Sequence, residues 1–330
     1  MVGRSTLRVA CALVSGLGFA ACSQPTTCGA DCQTADADTA TAIDWVGGLD
    51  AANDTPADSA VAAGGDAPGD TADDQAVLDV PGLDPPDVGS DLTGPPNVWI
   101  GQPLWLLSID NGSRWLQKVD VATGKTTNLC QLPNKDAYPS LTFRRDNVLV
   151  ASRKGAGLDE IDPCTCAVKQ IGSYGGGATG VNGITTNHAQ GLFGISAGLG
   201  ALIAINPQSG AATMVGNGLG VVFGAHGATW SDKLQQLVAI NSKDDGLYLV
   251  DPQSGQAKLQ AKLSKPFGSV GIERHPGNDT IYACSDDKIL RQVDMQTGLV
   301  TDIGPMAQLT ACTNLAAPFV PMTCPGWPKN

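Results

Sequence analysis

The chain has 330 residues and a formal net charge of −12, from 20 Lys and Arg against 32 Asp and Glu. Fifteen aspartates, with no glutamate, lysine or arginine, lie between Ser23 and Asn97, so the rest of the chain is close to neutral. Because a nucleic-acid-binding protein needs a clustered basic surface to neutralise phosphates, this charge distribution excludes nucleic acid as an expected partner.

The first residues have the composition of a secretory signal. Two arginines precede an uncharged run that is too short for a transmembrane helix. The sequence that follows, GFAAC, resembles the lipobox of bacterial lipoproteins, with Phe19 in place of the usual Leu. This resemblance implies a signal peptide over 1–21, a lipid anchor on Cys22 that binds the membrane, and, with Ser23 beside it, export to the outer membrane, on its periplasmic side or at the cell surface. The alternative is an ordinary signal peptide that is cleaved without lipidation.

Residues 22–97 are predicted to form a disordered spacer. Asp, Ala, Gly, Thr and Pro dominate this stretch, and its few large apolar groups cannot offset a backbone entropy of about 1–2 kcal/mol per ordered residue. Aspartates recur at short spacing, as at Asp36 and Asp38, but a calcium loop would end on a glutamate, which the segment lacks. We therefore expect a solvated tether, with no metal ion or cofactor.

Eight cysteines remain after the signal and the lipidated residue, an even number that is typical of disulfides in an exported protein. The CTC motif has the wrong spacing for a zinc site, and the 3 histidines are scattered. We expect disulfides, with their pairing left open, among Cys28, Cys32, Cys130, Cys164, Cys166, Cys284, Cys312 and Cys324.

A turn motif recurs five times, as VDVATG, IDPCTC, INPQSG, VDPQSG and VDMQTG, with spacings of 42, 44, 45 and 43 residues. A constant period of this length indicates one supersecondary unit that is repeated. Asp or Asn, Pro and Gly suit a hairpin turn, since they accept backbone N–H bonds, preset φ and adopt positive φ respectively. We interpret the motif aspartates as turn residues rather than catalytic carboxylates: Asp120, Asp162, Asp251 and Asp294.

A second landmark lies about twenty residues upstream of the later copies. It reads SLTF, GITT, GATW and GIER, starting at Ser140, Gly183, Gly227 and Gly271. A small first residue is typical of an inner strand near a crowded axis, where a larger side chain would collide with its neighbours. A further strand follows each landmark, so the unit has four strands in about 44 residues, the size of one β-propeller blade.

The two ends of the repeat region complement each other. The first motif copy has two strands before it but no inner strand, and the C-terminal segment TNLAAP from Thr313 is unmatched. We therefore predict an all-β protein, a five-bladed β-propeller over 98–321 that is closed by its N- and C-terminal strands, so that no strand edge is left exposed. The disordered tail precedes this monomeric ring, and a short tail, 322–330, follows it.

The repeats also resemble a known group of proteins. LYLVDPQSGQA and LIAINPQSGAATMVG are similar to the LYxIDPxTG repeats of bacterial exported propellers, which are related to YVTN and quinoprotein-type blades. Together with the lipobox and the spacer, they resemble myxobacterial-type exported lipoproteins. The resemblance implies the fold, but such repeats occur in binding modules, lyases and dehydrogenases, so it does not imply one activity.

Candidate ligand-binding residues are those that precede or lie on the inner strands, where a propeller has its axial mouth. Glu273 aligns with Thr142, Thr185 and Thr229 on a channel-facing position. The candidates are Tyr138, Asn182, His226, Ser269, Glu273, Arg274 and Thr313. The alternative is that they are unrelated residues of a solvated mouth, with Glu273 in a local ion pair with Arg274.

Three functions fit this sequence. We expect a lipid-anchored binding or scaffold module of the cell envelope, for a protein, a glycan or a small ligand. The alternatives are a hydrolase or lyase that uses His226 and Glu273 at the mouth, and a structural surface protein without a ligand. Because the inner strands carry too few carboxylates for a glycosidase, we assign no catalytic residue.

Overall fold

The computed structural model describes residues 98–307 and 309–327. The predicted signal peptide, the Cys22 anchor, the spacer with Cys28 and Cys32, and the last three residues lie outside this range. Nineteen β-strands make up the regular structure of the described residues. Those residues include no helix that is long and apolar enough to cross a membrane.

The strands form five antiparallel sheets, each built from strands that are consecutive in sequence. Blade 1 contains β1 (Trp105–Ile109), β2 (Trp115–Asp120) and β3 (Thr126–Gln131). Blade 2 contains β4 (Ser140–Phe143), β5 (Leu149–Arg153), β6 (Gly157–Ile161) and β7 (Val168–Ser173). Blade 3 contains β8 (Val181–Thr186), β9 (Leu192–Ser196), β10 (Ala201–Ile205) and β11 (Ala212–Val215). Blade 4 contains β12 (His226–Ser231), β13 (Gln236–Asn241), β14 (Gly246–Val250) and β15 (Ala257–Lys262). Blade 5 contains β16 (Gly271–Arg274), β17 (Ile281–Cys284), β18 (Ile289–Val293) and β19 (Val300–Pro305).

The prediction of a five-bladed β-propeller is confirmed. The inner strands β4, β8, β12 and β16 contact one another in that order around the axis. In blade 1 the inner position is taken by the C-terminal segment, where Leu107 and Ala316 exchange backbone hydrogen bonds of 2.8 and 2.9 Å. The ring is thus closed by the segment that was unmatched in the sequence.

The hydrophobic core is divided among the blade interfaces. Within the described part of the chain, five clusters of buried side chains are present, and each joins two neighbouring blades. Trp230 of blade 4, for example, stacks on Phe193 of blade 3 with 6.4 Å between the ring centroids. Because burial of apolar surface is the main stabilising contribution to folding, each blade depends on its neighbours for stability.

The axis is as crowded as the small first residues of the inner-strand landmarks predict. A Cβ atom on Gly183 would lie 2.6 Å from the backbone nitrogen of Ala228, and one on Gly271 would lie 2.8 Å from the backbone nitrogen of Asn314. The inner strands therefore approach each other at distances that only glycine permits at these positions.

The repeated turn has a second role, in packing between blades. The Asp251 Oδ1 atom accepts the backbone N–H groups of Gln253 and Ser254, both at 2.8 Å, as expected of a hairpin turn. Gly255 has a φ of 71°, and a Cβ atom there would collide with the carbonyl oxygen of Val215, in the outer strand of the preceding blade. Glycine therefore suits this turn position for two reasons: it adopts the positive φ, and it leaves room for the backbone of the neighbouring blade.

Blade 2 replaces this glycine contact with a covalent bond. Cys166 occupies the turn-glycine position, with a φ of 59°, and forms a disulfide with Cys130 in the outer strand of blade 1. The other disulfides among the described residues are Cys164–Cys324 and Cys284–Cys312. Three disulfides indicate folding in an oxidising, extracytoplasmic compartment.

Candidate functional site

Tyr138 lies in the core and not at a solvent-filled mouth. Its side chain is 0% exposed, and its hydroxyl donates to Asp159 Oδ2 at 2.8 Å while accepting from the Asn134 side chain at 2.7 Å. Arg153 binds the other oxygen of Asp159 at 2.9 Å. Burial raises the pKa of Tyr138, so the phenol stays protonated and acts as a structural hydrogen-bond donor.

His226 is likewise buried, at 1% exposure, and begins strand β12. Its Nδ1 lies 2.7 Å from the Gly224 carbonyl oxygen and its Nε2 lies 2.9 Å from the Ile195 carbonyl oxygen. Burial lowers the pKa of His226, whereas the two carbonyls favour its protonated form. Both ring nitrogens are thereby engaged with backbone, and neither is directed at a cavity that could hold a substrate.

Three other candidates lie at the same end of the inner strands. Asn182 is half-buried at a bulge in β8, between Val181 and Gly183. The Ser269 hydroxyl donates to the Cys312 carbonyl at 2.8 Å, and the Thr313 hydroxyl accepts from the Asn111 side chain at 3.0 Å. Ser269 and Thr313 thus take part in the contacts that join blade 5 and the C-terminal segment to blade 1.

Glu273 and Arg274 lie at the opposite end of the inner strands. The structure brings Glu273 together with Thr142, Thr185 and Thr229 around one axial cavity of about 20 Å³. Since Glu273 is level with Thr229, three residues beyond His226, the glutamate and the histidine are separated by roughly 10 Å along the strand direction. The predicted candidates therefore form two groups, and His226 and Glu273 do not line one cavity.

The Glu273 carboxyl is the most unusual group in this cavity. It is 6% exposed, and its Oε2 atom has no hydrogen-bond partner among the described residues. The nearby Thr186 hydroxyl is also buried without a partner there. Burial raises the pKa of Glu273 well above its usual range, although the positive charges of Arg274 and Arg145 oppose this effect.

A polar cap lines the outer side of the cavity. Asp232 accepts a hydrogen bond of 2.6 Å from the Arg145 guanidinium and lies 3.7 Å from that of Arg274, which also pairs with Asp279. The Phe319 ring lies 4.1 Å from the Arg145 guanidinium in a cation–π contact. Arg145, Asp232, Arg274 and Phe319 come from blades 2, 4 and 5 and from the C-terminal segment, so the cap ties distant parts of the ring together.

The size of the axial cavity limits its chemistry. About 20 Å³ accommodates one water molecule or one small ion, since a single water needs roughly 10–15 Å³ of such volume. An organic substrate does not fit without displacement of the cap. No group of three or more His, Cys, Asp or Glu side chains arranged to hold a metal ion occurs within 98–307 and 309–327.

A larger cavity, of about 440 Å³, lies where the two ends of the propeller meet. Trp99, Trp105 and Trp327 line it together with Met322. Trp105 contacts both other indoles edge-on, with ring centroids 5.7 Å from Trp99 and 5.5 Å from Trp327. We call this cavity the tryptophan pocket. Its polar lining includes Gln102, Lys118 and Thr323.

Covalent and hydrogen bonds hold the C-terminal wall of the tryptophan pocket. Cys324 is bonded to Cys164 in the turn of blade 2, and the Trp327 indole N–H donates to the Pro163 carbonyl at 3.2 Å. The wall is thus attached to the IDPCTC turn at two points, Cys324 and Trp327. A pocket whose wall is held in this way is largely preformed, as small-molecule sites usually are.

The sequence interpretation did not identify this pocket. The predicted boundary at residue 321 separates its C-terminal wall from the propeller, although Cys324 was expected to form a disulfide. One signal was available, since Trp99 and Trp327 lie near opposite ends of the repeat region, and the predicted ring closure brings those ends together. What the repeat pattern could not supply was the position of a non-repeating segment.

No family model matches this chain, and no curated protein matches it. Among solved structures, it is similar to a structural genomics protein of unknown function from Bacteroides thetaiotaomicron, with 12% identity and a TM-score of 0.46, over 64% of this chain and 58% of that one. It is similar to an auxiliary nutrient binding protein from Bacteroides ovatus, with 11% identity and a TM-score of 0.43, over 60% of this chain and 56% of that one. It is also similar to virginiamycin B lyase from Staphylococcus aureus, with 13% identity and a TM-score of 0.39, over 61% of this chain and 69% of that one. The chain spans less than two thirds of the length of the first two proteins. Identities this low bear on the fold alone, and with TM-scores under 0.5 these similarities carry no argument about function.

Proposed function

We propose that this chain is an exported binding module that holds a glycan in the tryptophan pocket. The observation that carries the proposal is the pocket itself, with its volume of about 440 Å³ and its indole walls. This volume falls in the range of roughly 300–1,000 Å³ that is usual for small-molecule sites. The axial cavity is too small for such a ligand.

The lining of the pocket favours a sugar over other ligands. Indole rings offer flat, apolar faces and edges, against which the C–H face of a pyranose ring packs. Gln102, Thr323 and Lys118 supply hydrogen-bonding groups for sugar hydroxyls. Lys118, whose ammonium lies 5.5 Å from the Trp105 ring centroid, is the one charged side chain among the described lining residues. We therefore expect a neutral sugar or one with a single acidic group.

The test is titration of the full chain with a panel of neutral and acidic mono- and disaccharides, followed by tryptophan fluorescence and calorimetry. We expect saturable binding by at least one sugar, and a loss of tenfold or more in affinity in the Trp327→Ala variant. Trp115→Phe is the matched control, because Trp115 lies on β2 but does not line the pocket. Equal binding by the Trp327→Ala variant would contradict the proposal, and a panel without any binding would favour a structural role.

We further infer that Cys22 carries a lipid anchor and that the propeller stands at the outer membrane. The lipobox-like GFAAC sequence and the aspartate-rich spacer support this inference, and so does the oxidising environment that the disulfides require. Metabolic labelling with an alkyne fatty acid should label the wild type and not the Cys22→Ala variant. Equal labelling of the two, or release of the wild type into the medium, would contradict the anchor.

A further inference from the structure

We propose that the axial cavity binds one monovalent metal cation, for which sodium is the probe, in exchange with a proton on the Glu273 carboxyl. The proposal concerns a different site from the tryptophan pocket and does not depend on sugar binding. It rests on three properties of the cavity: its size, its oxygen donors and the charges around it.

The donors suit a hard cation. Glu273 presents a carboxylate oxygen, and Thr142, Thr185, Thr186 and Thr229 line the same cavity. Alkali and alkaline-earth ions prefer such oxygen ligands. Two of the donor groups, the Glu273 Oε2 atom and the Thr186 hydroxyl, are buried without a hydrogen-bond partner among the described residues. Buried polar groups are rarely left unpaired, so these two atoms indicate an occupant.

The volume of the axial cavity limits its occupant to a single small ion or molecule. About 20 Å³ holds one water-sized particle, which excludes an ammonium group on an organic ligand. A dehydrated sodium ion is smaller than a water molecule and fits this space. The guanidinium groups and the Phe319 ring of the cap line this space, so a bound ion would exchange most of its water shell for the protein oxygens.

The charged side chains around the cavity leave one negative charge, that of Glu273, to be neutralised. Arg145 and Arg274 are balanced by Asp232 and Asp279, with which they form ion pairs. Neither arginine lies within ion-pair distance of Glu273 among the described ion pairs, so the buried Glu273 carboxylate has no ion-pair partner there. An isolated buried carboxylate is strongly unfavourable. A proton or a monovalent cation neutralises it, whereas a divalent cation would leave an excess positive charge beside two arginines.

The other charged groups of the capping turns do not alter this balance. Arg144 pairs with Asp146 in its own turn, and Lys233 is exposed to solvent. His275, which follows Arg274, is buried, and its Nε2 faces the Trp105 carbonyl at 3.2 Å, away from the carboxylate. Competition between the proton and sodium for one carboxylate therefore predicts that sodium binding is weak in acid and stronger in base.

The experiment compares thermal unfolding of the full chain in sodium chloride and in choline chloride of equal ionic strength, at pH 5 and at pH 8.5. We expect sodium to raise the melting temperature of the wild type at pH 8.5 by about 2–4 °C and to have little effect at pH 5. Glu273→Gln should abolish the difference at pH 8.5. Glu160→Gln, at a half-exposed glutamate on β6, is the matched control and should retain it.

Two outcomes would overturn the proposal: no sodium effect on the wild type at pH 8.5, or a full effect in the Glu273→Gln variant. If that variant fails to fold, Thr186→Val serves in its place and should reduce the effect. As a direct measure, the sodium-23 NMR line should broaden with the wild type at pH 8.5 and not at pH 5. The Trp327→Ala variant should respond to sodium as the wild type does, which separates this proposal from the one on sugar binding.

Discussion

The side chain of Asn314 pairs with the backbone of Ile109 as a neighbouring strand residue would. Its Oδ1 atom accepts the Ile109 N–H at 2.7 Å, and its Nδ2 atom donates to the Ile109 carbonyl at 3.0 Å. The same amide also donates to the Tyr138 carbonyl at 2.8 Å. One asparagine thus extends the single Leu107–Ala316 bridge and links blade 1, blade 2 and the C-terminal segment.

Asn314→Ala should weaken the closure of the ring. The variant leaves the N–H and carbonyl of Ile109 buried and unpaired, which costs about 1–3 kcal/mol for each unsatisfied group. We expect a lower midpoint in urea unfolding, which corresponds to a loss of at least this much free energy of unfolding. Asn182→Ala, at a half-buried asparagine for which the described contacts include no side-chain hydrogen bond, is the control and should change the midpoint little. Similar midpoints for the two variants would show that Asn314 is not needed for closure.

Gly183→Ala tests the close approach of the inner strands. The added methyl group would lie 2.6 Å from the Ala228 backbone nitrogen, which cannot move without displacing β12. Overpacking of this kind costs about 1–3 kcal/mol, and we expect at least that loss of unfolding free energy. Gly224→Ala is the milder comparison, because its nearest contact is a side-chain atom at 3.2 Å. A Gly183→Ala protein as stable as the wild type would mean that the axis is looser than described.

Glu273→Gln should stabilise the protein at neutral and basic pH in a sodium-free buffer. Because burial raises the pKa of Glu273, the folded state holds its proton more tightly than the unfolded state does. The wild type therefore loses stability as pH rises from the ordinary glutamate pKa of about 4.3 toward the raised value. The glutamine amide does not titrate, so the unfolding free energy of the variant should depend less on pH. Chemical unfolding between pH 4 and pH 9 in choline chloride measures this, and parallel profiles would contradict it.

His275 should contribute an acid limb to the stability profile. Its Nδ1 accepts the Gly277 N–H at 2.9 Å, so a proton added there would face another N–H group. Burial lowers the pKa of His275 to about 4. Stability should therefore fall as pH drops from about 6.5 toward about 4, since the unfolded state takes up the proton first. The His275 NMR signals should remain those of the neutral ring at pH 5.5, and an imidazolium signal for His275 at that pH would refute the assignment.

The Cys164–Cys324 disulfide should affect both stability and the tryptophan pocket. It joins residues 160 positions apart, so loss of the bond in a Cys164→Ser, Cys324→Ser variant should cost about 2–5 kcal/mol. The same variant should bind sugar more weakly than the wild type, because Met322 and Trp327 are no longer attached to blade 2 through Cys324. The Cys284→Ser, Cys312→Ser variant, which opens a link across 28 residues away from the pocket, should lose stability and keep the response. Peptide mapping without reduction checks the pairings directly.

Much of the architecture could be predicted because it is repeated. Each hairpin turn depends on four to six consecutive residues, and its recurrence at 42 to 45 residues counts the blades. The IDPCTC copy was the informative exception, since its replacement of glycine by Cys166 marks the position where a disulfide to Cys130 takes over the contact between blades. The pairing itself was not predictable, because several cysteines could equally have been chosen.

The candidate site was predictable only in part. Alignment of the inner strands placed Glu273 level with three threonines, and these four residues line one cavity. Tyr138 and His226 were selected by the same alignment but are buried in hydrogen-bond networks. Position along a strand follows from a repeat, whereas exposure depends on which other segments cover that position.

The sequence by itself determined the number of blades, the turns that connect their strands and the segment that closes the ring, because these follow from local conformational preference and from constant spacing. Only the tertiary structure decided which cysteines pair, that the axial end is capped by Arg145 and Asp232, and that Trp99, Trp105 and Trp327 meet in one pocket. These features join residues that are far apart in sequence and belong to no repeat. Their positions are set by the packing of the closed ring as a whole.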